Sequence, residues 1–367
     1  MMSAKIVPII RKEFIHISRD FRTLVIIILL PTFMLFLFGF AINMEIQDID
    51  MIVLDHDKSP TSNELIRAFE GSEFFTVWHF SGPVSQLESF FSKRDARMIL
   101  IIGPDFSQEL YRQHRTNVQV LIDASDPNAA QAIRNYSNVI FQSFNAKKTP
   151  PAGFDIEPTI WYNPALKSAY FFVPGLATII LIMISAILTS VAVVREKETG
   201  TLEQILVSPI RPFEIIIGKV IPYIFLAFVD LVIILTLANL VFDVPFTGSL
   251  VFLLFASLIF IFLALSLGLL ISTKAKTQQV AMMIALVATL LPSIMLSGFI
   301  FPLSSLPKVL QVISYAVPAR YFLVIIRGIM LKGNTFTQLL PEISVLLAMG
   351  VGLMMISVKK FKTTLEV

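Results

Sequence analysis

The sequence predicts a polytopic α-helical membrane protein: six transmembrane helices, both termini cytoplasmic, and an α/β extracytoplasmic domain between helices one and two. Three observations predict it. Apolar residues make up 55% of 367 residues and charged residues 15%, where a soluble chain carries about 25% charge. Charge-free apolar stretches cover residues 23–44, 168–194, 244–273 and 277–307, and two more, 220–242 and 338–358, hold one acid each, Asp230 and Glu342. A spanning helix needs roughly 20 such residues. Finally, sixteen of the 26 acids fall in residues 43–168, where strand and helix patterns alternate. This composition excludes a single soluble enzyme domain, and 32 Phe exclude a disordered chain. Zero Cys excludes disulfides, thiol catalysis and Cys-ligated metal. The net charge of +3 is read as setting orientation, not as binding nucleic acid.

Each element follows in order. Residues 1–22 form a cytoplasmic amphipathic helix with Ile6, Ile9, Ile10, Phe14 and Ile17 near one face; Lys5, Lys12, Glu13 and His16 fall away from it. Periodicity leaves open whether this helix is an interfacial anchor or a surface for a cytoplasmic partner. Residues 23–42 are transmembrane helix 1. Gly39-Phe40-Ala41 loosely fits a signal-cleavage site, but the apolar core exceeds the roughly 7–15 residues of a signal peptide, so the segment reads as an uncleaved anchor.

Residues 43–168 are the extracytoplasmic domain. Strands are expected at 49–54, 74–80, 97–102 and 118–122, with a further one at 159–162. Helices are expected at 59–70, capped by Ser59 with Pro60 in the first turn, and at 84–91, 105–112 and 128–145. Strands alternating with helices argue α/β. Asp55-His56-Asp57 reads as a polar strand end rather than a metal site, because neither His79 nor His114 makes a ligand pair with it.

Transmembrane helices 2 to 6 are expected at 169–194, 214–242, 248–272, 278–301 and 338–358, with an outer re-entrant segment at 302–334 and a cytoplasmic tail at 359–367. In the short loops and tails, fourteen Lys and Arg lie on the side of the termini and four on the other, which places both termini in the cytoplasm; residues 43–168 are too long a segment for their charges to count.

The cytoplasmic loop 195–213 carries the most information. Gly200 suits a sharp turn. Thr201-x-x-Gln204 fits a capping box. Leu202, Ile205 and Leu206 make a short apolar face, and Pro209 ends the helix. A helix this short does not stand alone in water, so it needs a surface to pack on.

Residues 195–223 (REKETGTLEQILVSPIRPFEIIIGKVIPY) resemble the signature of ABC transporter permeases of the ABC-2 type: an acidic E-x-G-T turn, a short helix ending in S-P, and an E-I-I-x-G-K start to the next span. Residues 290–334 resemble the family's fifth span and outer re-entrant segment, with P-x-x-Y-F and R-G-I-x-L-K-G elements. The layout is similar to that of bacterial multidrug exporters with a large extracytoplasmic domain.

The resemblance implies a dimeric permease, paired with a second copy or a paralogue, that moves hydrophobic or cationic drug-like compounds outward by alternating access. It implies a coupling helix that docks on a separate ABC ATPase subunit, with Glu196, Glu198, Gly200, Thr201, Leu202, Glu203, Ile205 and Pro209 as the coupling residues. ATP and magnesium would sit on that ATPase, no cofactor on this chain. Indeed no G-x-x-x-x-G-K-[ST] is present: Gly218-Lys219 is followed by Val220. A periplasmic adaptor and membrane lipid are further expected partners.

Within the membrane, Asp230 lies mid-span, where a charge costs roughly 2.5–3.5 kcal/mol. It is expected to be a hydrogen-bonded lock, with a substrate or cation contact as the other reading. Glu342 and Arg327 are expected to pair. Ala264-x-x-x-Gly268 fits close helix packing. Phe171, Phe172, Met183, Asp230, Met282, Met283, Met295 and Phe299 are the candidates for the substrate path, and Pro318, Tyr321 and Arg327 for the outer gate. A membrane receptor or anchoring protein with a ligand-binding outer domain is the alternative. A secondary transporter would show several intramembrane ionisable pairs and internal repeats, which the sequence does not.

Overall fold

The computed structural model describes residues 2–41, 48–93, 95–113, 115–125, 127–148, 162–163, 167–201 and 212–365. The expected strand at 159–162 lies outside these except for Tyr162, as does His114. The chain forms two compact units, Met44–Ile160 and the combination of Met1–Asn43 with Trp161–Val367.

The smaller unit is a four-stranded sheet with helices. In the numbering of the whole chain its elements are β1 (Ile49–Asp55), α3 (Pro60–Glu70), β2 (Phe75–His79), α4 (Leu87–Lys93), β3 (Met98–Ile102), α5 (Phe106–Gln113), β4 (Val118–Ile122) and α6 (Pro127–Lys148). Strand order is β2-β1-β3-β4. β1 runs parallel to β2 and β3, with Ile52 opposite Trp78 and Ile99, and β4 returns antiparallel to β3. The central strands read as unbroken apolar runs because both faces are covered: Met51, Ile52, Val53, Leu54, Met98, Ile99 and Leu100 are all buried.

Ser59 caps α3 in a reciprocal box with Ser62, and Pro60 opens the helix. Asp55 and Asp57 are engaged locally. Asp55 accepts from the Asp57 and Lys58 amides at 2.9 and 3.1 Å and from the Ser62 hydroxyl at 2.7 Å, while Asp57 accepts from the Ser107 hydroxyl at 3.1 Å.

The larger unit is a helical bundle: α1 (Met2–Arg19), α2 (Phe21–Ala41), α7 (Ser168–Glu198), α8 (Pro212–Leu240), α9 (Leu250–Lys274), α10 (Gln278–Leu296), α11 (Lys308–Ser314), α12 (Pro318–Lys332) and α13 (Leu340–Leu365). Among the described residues, α7, α8, α9, α10 and α13 are long and apolar enough to cross a membrane. The described apolar part of α2 is Ile28–Phe40, and α11 and α12 are a pair bent by 77°.

α7 is the central helix, buried on nearly every side between Phe172 and Val194. α9 lies against it closely: a Cβ on Gly268 would sit 3.0 Å from the Ala186 Cα, the small-residue contact that Ala264-x-x-x-Gly268 suggested. Phe260 stacks on Phe322 at 4.1 Å, tying α9 to α12. The loop before α9 caps α12, with the Thr247 and Gly248 amides donating to the Met330 and Ile329 carbonyls at 3.0 Å each. These bonds satisfy carbonyls that a helix end otherwise leaves unpaired.

α10 stops at Leu296, short of the expected residue 301, because Gly298 takes a left-handed φ of 84° and Pro302 follows.

Candidate functional site

The C-terminal end of α7 gathers charged groups from α1 and α8, Asp20 from the joint between α1 and α2, and a glutamine from α10. α1 is amphipathic, and its periodicity decides what it presents. Ile9 is buried and Ile6, Ile10 and Ile17 are half-buried. Glu13 follows Ile9 by four positions, so it shares this face and is itself only 4% exposed. The expectation that Glu13 falls away from the apolar face is therefore corrected. Its burial is matched by Lys219 of α8, equally enclosed at 2%. Close approach permits this: a Cβ on Gly218 would meet Ile9 Cγ2 at 2.7 Å. Phe14 adds an edge-on contact with Phe225 at 5.8 Å.

Glu196 is the hub of this cluster. It accepts from Lys12 Nζ at 2.6 Å and from Lys219 Nζ. Glu13 Oε1 lies 3.7 Å from Lys12 and 3.8 Å from Lys219, ion-pair contacts beyond hydrogen-bond reach. Burial pushes the Glu13 carboxyl above its ordinary range, with the Lys219 charge acting against that rise. Burial alone would lower Lys12, but the hydrogen bond and charge of Glu196 outweigh it and raise its ammonium above the usual value.

One residue earlier, Arg195 holds Asp20 at 3.0 Å and Gln278 at 3.2 Å. Two residues later, Glu198 accepts from the Gln278 amide at 3.1 Å, so it fastens the start of α10. Beyond it the chain turns. The Thr199 amide donates to the Arg195 carbonyl at 3.0 Å, Gly200 adopts a φ of 69°, and the Thr201 hydroxyl donates back to the Glu196 carbonyl at 3.3 Å. Leu202, Glu203, Ile205 and Pro209 lie outside the described residues. The structure thus brings Glu196, Glu198, Gly200 and Thr201 together at one helix end.

Reading the sequence missed Lys12, Glu13, Asp20, Lys219 and Gln278 as members of this cluster. The signal available for Glu13 was its i+4 spacing from Ile9. Lys219 carried none, because an isolated Lys at the start of a span is ordinary.

The candidate path and gate residues fall in separate places. Phe172 and Phe299 meet edge to face at 5.8 Å near the other end of α7, and both are buried. Phe171 adjoins them: Arg327 lies 3.6 Å over its ring and donates to its carbonyl at 2.9 Å and to the Gly298 carbonyl at 3.3 Å. The expected Arg327–Glu342 pair is corrected. Arg327 is spent on these carbonyls and this ring, and Glu342 Oε2 makes no hydrogen bond among the described residues.

Met183 is buried inside the bundle, whereas Met282, Met283 and Met295 are exposed along α10. Pro318 opens α12, and the Tyr321 hydroxyl donates to the Tyr315 carbonyl at 2.9 Å across the bend. Asp230 is 2% exposed, and neither carboxylate oxygen finds a hydrogen-bond partner among the described residues. The expected hydrogen-bonded lock is corrected on that ground.

The seat of α1 on α8 makes a direct prediction. In Gly218→Val the new methyl groups collide with Ile9, including its Cβ. Trypsin should then cut after Arg11 and Lys12 faster than in the parent chain. An unchanged cleavage rate would refute this packing.

Comparison with known proteins adds a second line of evidence. Residues 21–359 match the sequence profile described as ABC-2 family transporter protein. The chain is 35% identical over 347 residues to the protein named "Probable multidrug ABC transporter permease YbhS" of Escherichia coli (strain K12), covering 93% of this chain and 92% of the relative. It is 31% identical over 328 residues to "Probable multidrug ABC transporter permease YbhR" of the same strain, with 88% and 89% covered. It is 28% identical over 328 residues to its "Inner membrane transport permease YhhJ", with 85% of each covered.

Proposed function

The chain belongs to the ABC-2 family of transporter proteins, and from that membership we propose that it is the membrane permease of an exporter whose ATPase is a separate chain. It is a multi-pass membrane protein, and its likeness to the inner membrane transport permease of Escherichia coli supports the inner membrane as its place. In this reading α2, α7, α8, α9, α10 and α13 are the six spans. Both termini are cytoplasmic and the smaller α/β unit is extracytoplasmic. Two copies, or this chain and a paralogue, alternate access for hydrophobic or cationic drug-like compounds. ATP and magnesium act on the partner ATPase, and a periplasmic adaptor receives the product of transport.

The observation that carries the proposal is the tied end of α7. Glu196 joins α1 and α8, Glu198 joins α10, and the chain then turns at Gly200 within the E-x-G-T segment. A partner that pushes on loop 195–213 acts on four helices together. In this reading Leu202, Ile205 and Leu206 supply apolar side chains for docking, and Glu198, an exposed acid four positions before Leu202, supplies charge.

The test is purification of the tagged chain from its native host in mild detergent, followed by mass spectrometry and an ATPase assay. An ATPase should copurify. Glu198→Arg should lower its recovery about tenfold, or ~1.4 kcal/mol of binding. A chain that purifies from several detergents with no nucleotide-hydrolysing partner would overturn the proposal in favour of a receptor.

A further inference from the structure

α1 has a second face, away from the one it lays on α8. Arg11, Ile15 and Arg19 recur at every fourth position, so they share one stripe, and all three are exposed. With Pro8 and His16 they line a groove along the helix. Val7 and Phe14, also exposed, border the stripe. We propose that this face binds anionic phospholipid, with Arg11 and Arg19 holding the phosphates and Val7 and Phe14 set among the acyl chains.

Three observations carry this. First, the depth of the face is fixed at two points. Phe14 meets Phe225 edge-on at 5.8 Å. Phe225 is itself exposed and stands about 9 Å past Lys219, into the apolar run of α8, at 1.5 Å per residue. At the other end, Arg195 holds Asp20 at 3.0 Å, where the apolar run of α7 stops. α1 therefore lies at the level where acyl chains give way to headgroups.

Second, the positive charge on this face is uncompensated. Lys12 is engaged by Glu196, and Asp20 by Arg195. No carboxylate pairs with Arg11 or Arg19 among the described residues. Third, the usual anchor is taken. An amphipathic helix ordinarily holds a bilayer by its apolar face. Here that face rests on α8 through Ile9, with Glu13 beside Lys219. What is left to meet lipid is a basic face with apolar borders.

Arginine suits this role, because its planar fork matches phosphate oxygens in pairs. Arg11 and Arg19 are about 12 Å apart along the helix axis, so each takes its own phosphate. An acidic soluble protein fits less well, since it would have to cover Phe14 and Phe225 at the depth of the apolar run. The site requires only that the chain crosses a membrane and does not rest on the transport reading.

The test reads lipid contact directly. The full chain is placed in phosphatidylcholine nanodiscs holding a small share of phosphatidylglycerol with a diazirine in one acyl chain. After illumination the adducts are mapped by mass spectrometry. A parallel sample carries the same diazirine on phosphatidylcholine. Adducts of the phosphatidylglycerol probe are expected on residues 7–14, several-fold above those of the phosphatidylcholine probe. Arg11→Gln combined with Arg19→Gln should lower them about tenfold, whereas Arg11→Lys combined with Arg19→Lys should keep most of them. Both side chains are exposed, so thermal stability should match the parent in either variant. Equal labelling by the two probes, adducts confined to other segments, or equal labelling of the Gln variant and the parent would overturn the proposal. Unchanged labelling together with loss of a copurifying ATPase in the Gln variant would overturn it in favour of a protein partner on this face. A parent chain that recovers no ATPase would leave the lipid readings untouched and count only against the transport proposal.

Discussion

Lys219→Met should lower the stability of the bundle by about 3–5 kcal/mol, the range for removing one partner of a buried ion pair. Lys219 is 2% exposed and faces Glu13 and Glu196. Without it, Glu196 retains Lys12 at 2.6 Å, but Glu13 is left with that same lysine at 3.7 Å. The loss therefore comes mainly from a carboxylate stranded in a site that burial already disfavours. The double variant Lys219→Met with Glu13→Gln should recover most of the stability, because removing both charges removes the stranded group as well. Thermal unfolding of the single and double variants in one detergent separates the outcomes. A double variant as unstable as the single one would show that Lys219 contributes packing rather than charge.

Gly268→Val is the second large effect. The obstacle is the backbone of Ala186, its Cα 3.0 Å from the new Cβ and its carbonyl closer still. Backbone does not rotate away as a side-chain tip does, so overpacking here should reach or exceed the upper end of the usual range of about 1–3 kcal/mol. Loss of a monodisperse peak on size exclusion, with a large fall in unfolding temperature, is the expected result. Gly352→Val is the control, since nothing lies within 4 Å of its Cβ position. Equal behaviour of the two variants would refute the claim that α7 and α9 depend on this close contact.

The sequence made some of this architecture legible and hid the rest for physical reasons. Helix caps and strand alternation are local, so Ser59, Pro60 and the succession of β1, α3 and β2 could be read from neighbours. The turn at Gly200 was legible for the same reason: only a residue without Cβ adopts a φ of 69° at little cost. Pairings were not legible. Lys12 and Glu196 stand 184 positions apart, and nothing in either segment names the other. Arg327 and Glu342 looked like partners because both lay near one end of the bundle, yet Arg327 found backbone carbonyls and a ring nearer to hand. Glu13 was misplaced because charge was taken to mean solvent. The helical period had already put it beside Ile9, and the buried lysine that makes the position tenable belongs to another helix.

The 31 residues of α7 form a rod about 46 Å long at 1.5 Å per residue. One end is held by Asp20, Lys12, Lys219 and Gln278, and the other lies by Phe172, Phe299 and Arg327. Such a rod is a lever. A tilt of about 5° about the tied end sweeps the far end through about 4 Å, comparable to the whole distance over which Arg327 holds the Phe171 carbonyl. A displacement too small to break any bond in the charge cluster is therefore large enough, at the opposite end, to part a cation from the ring it covers.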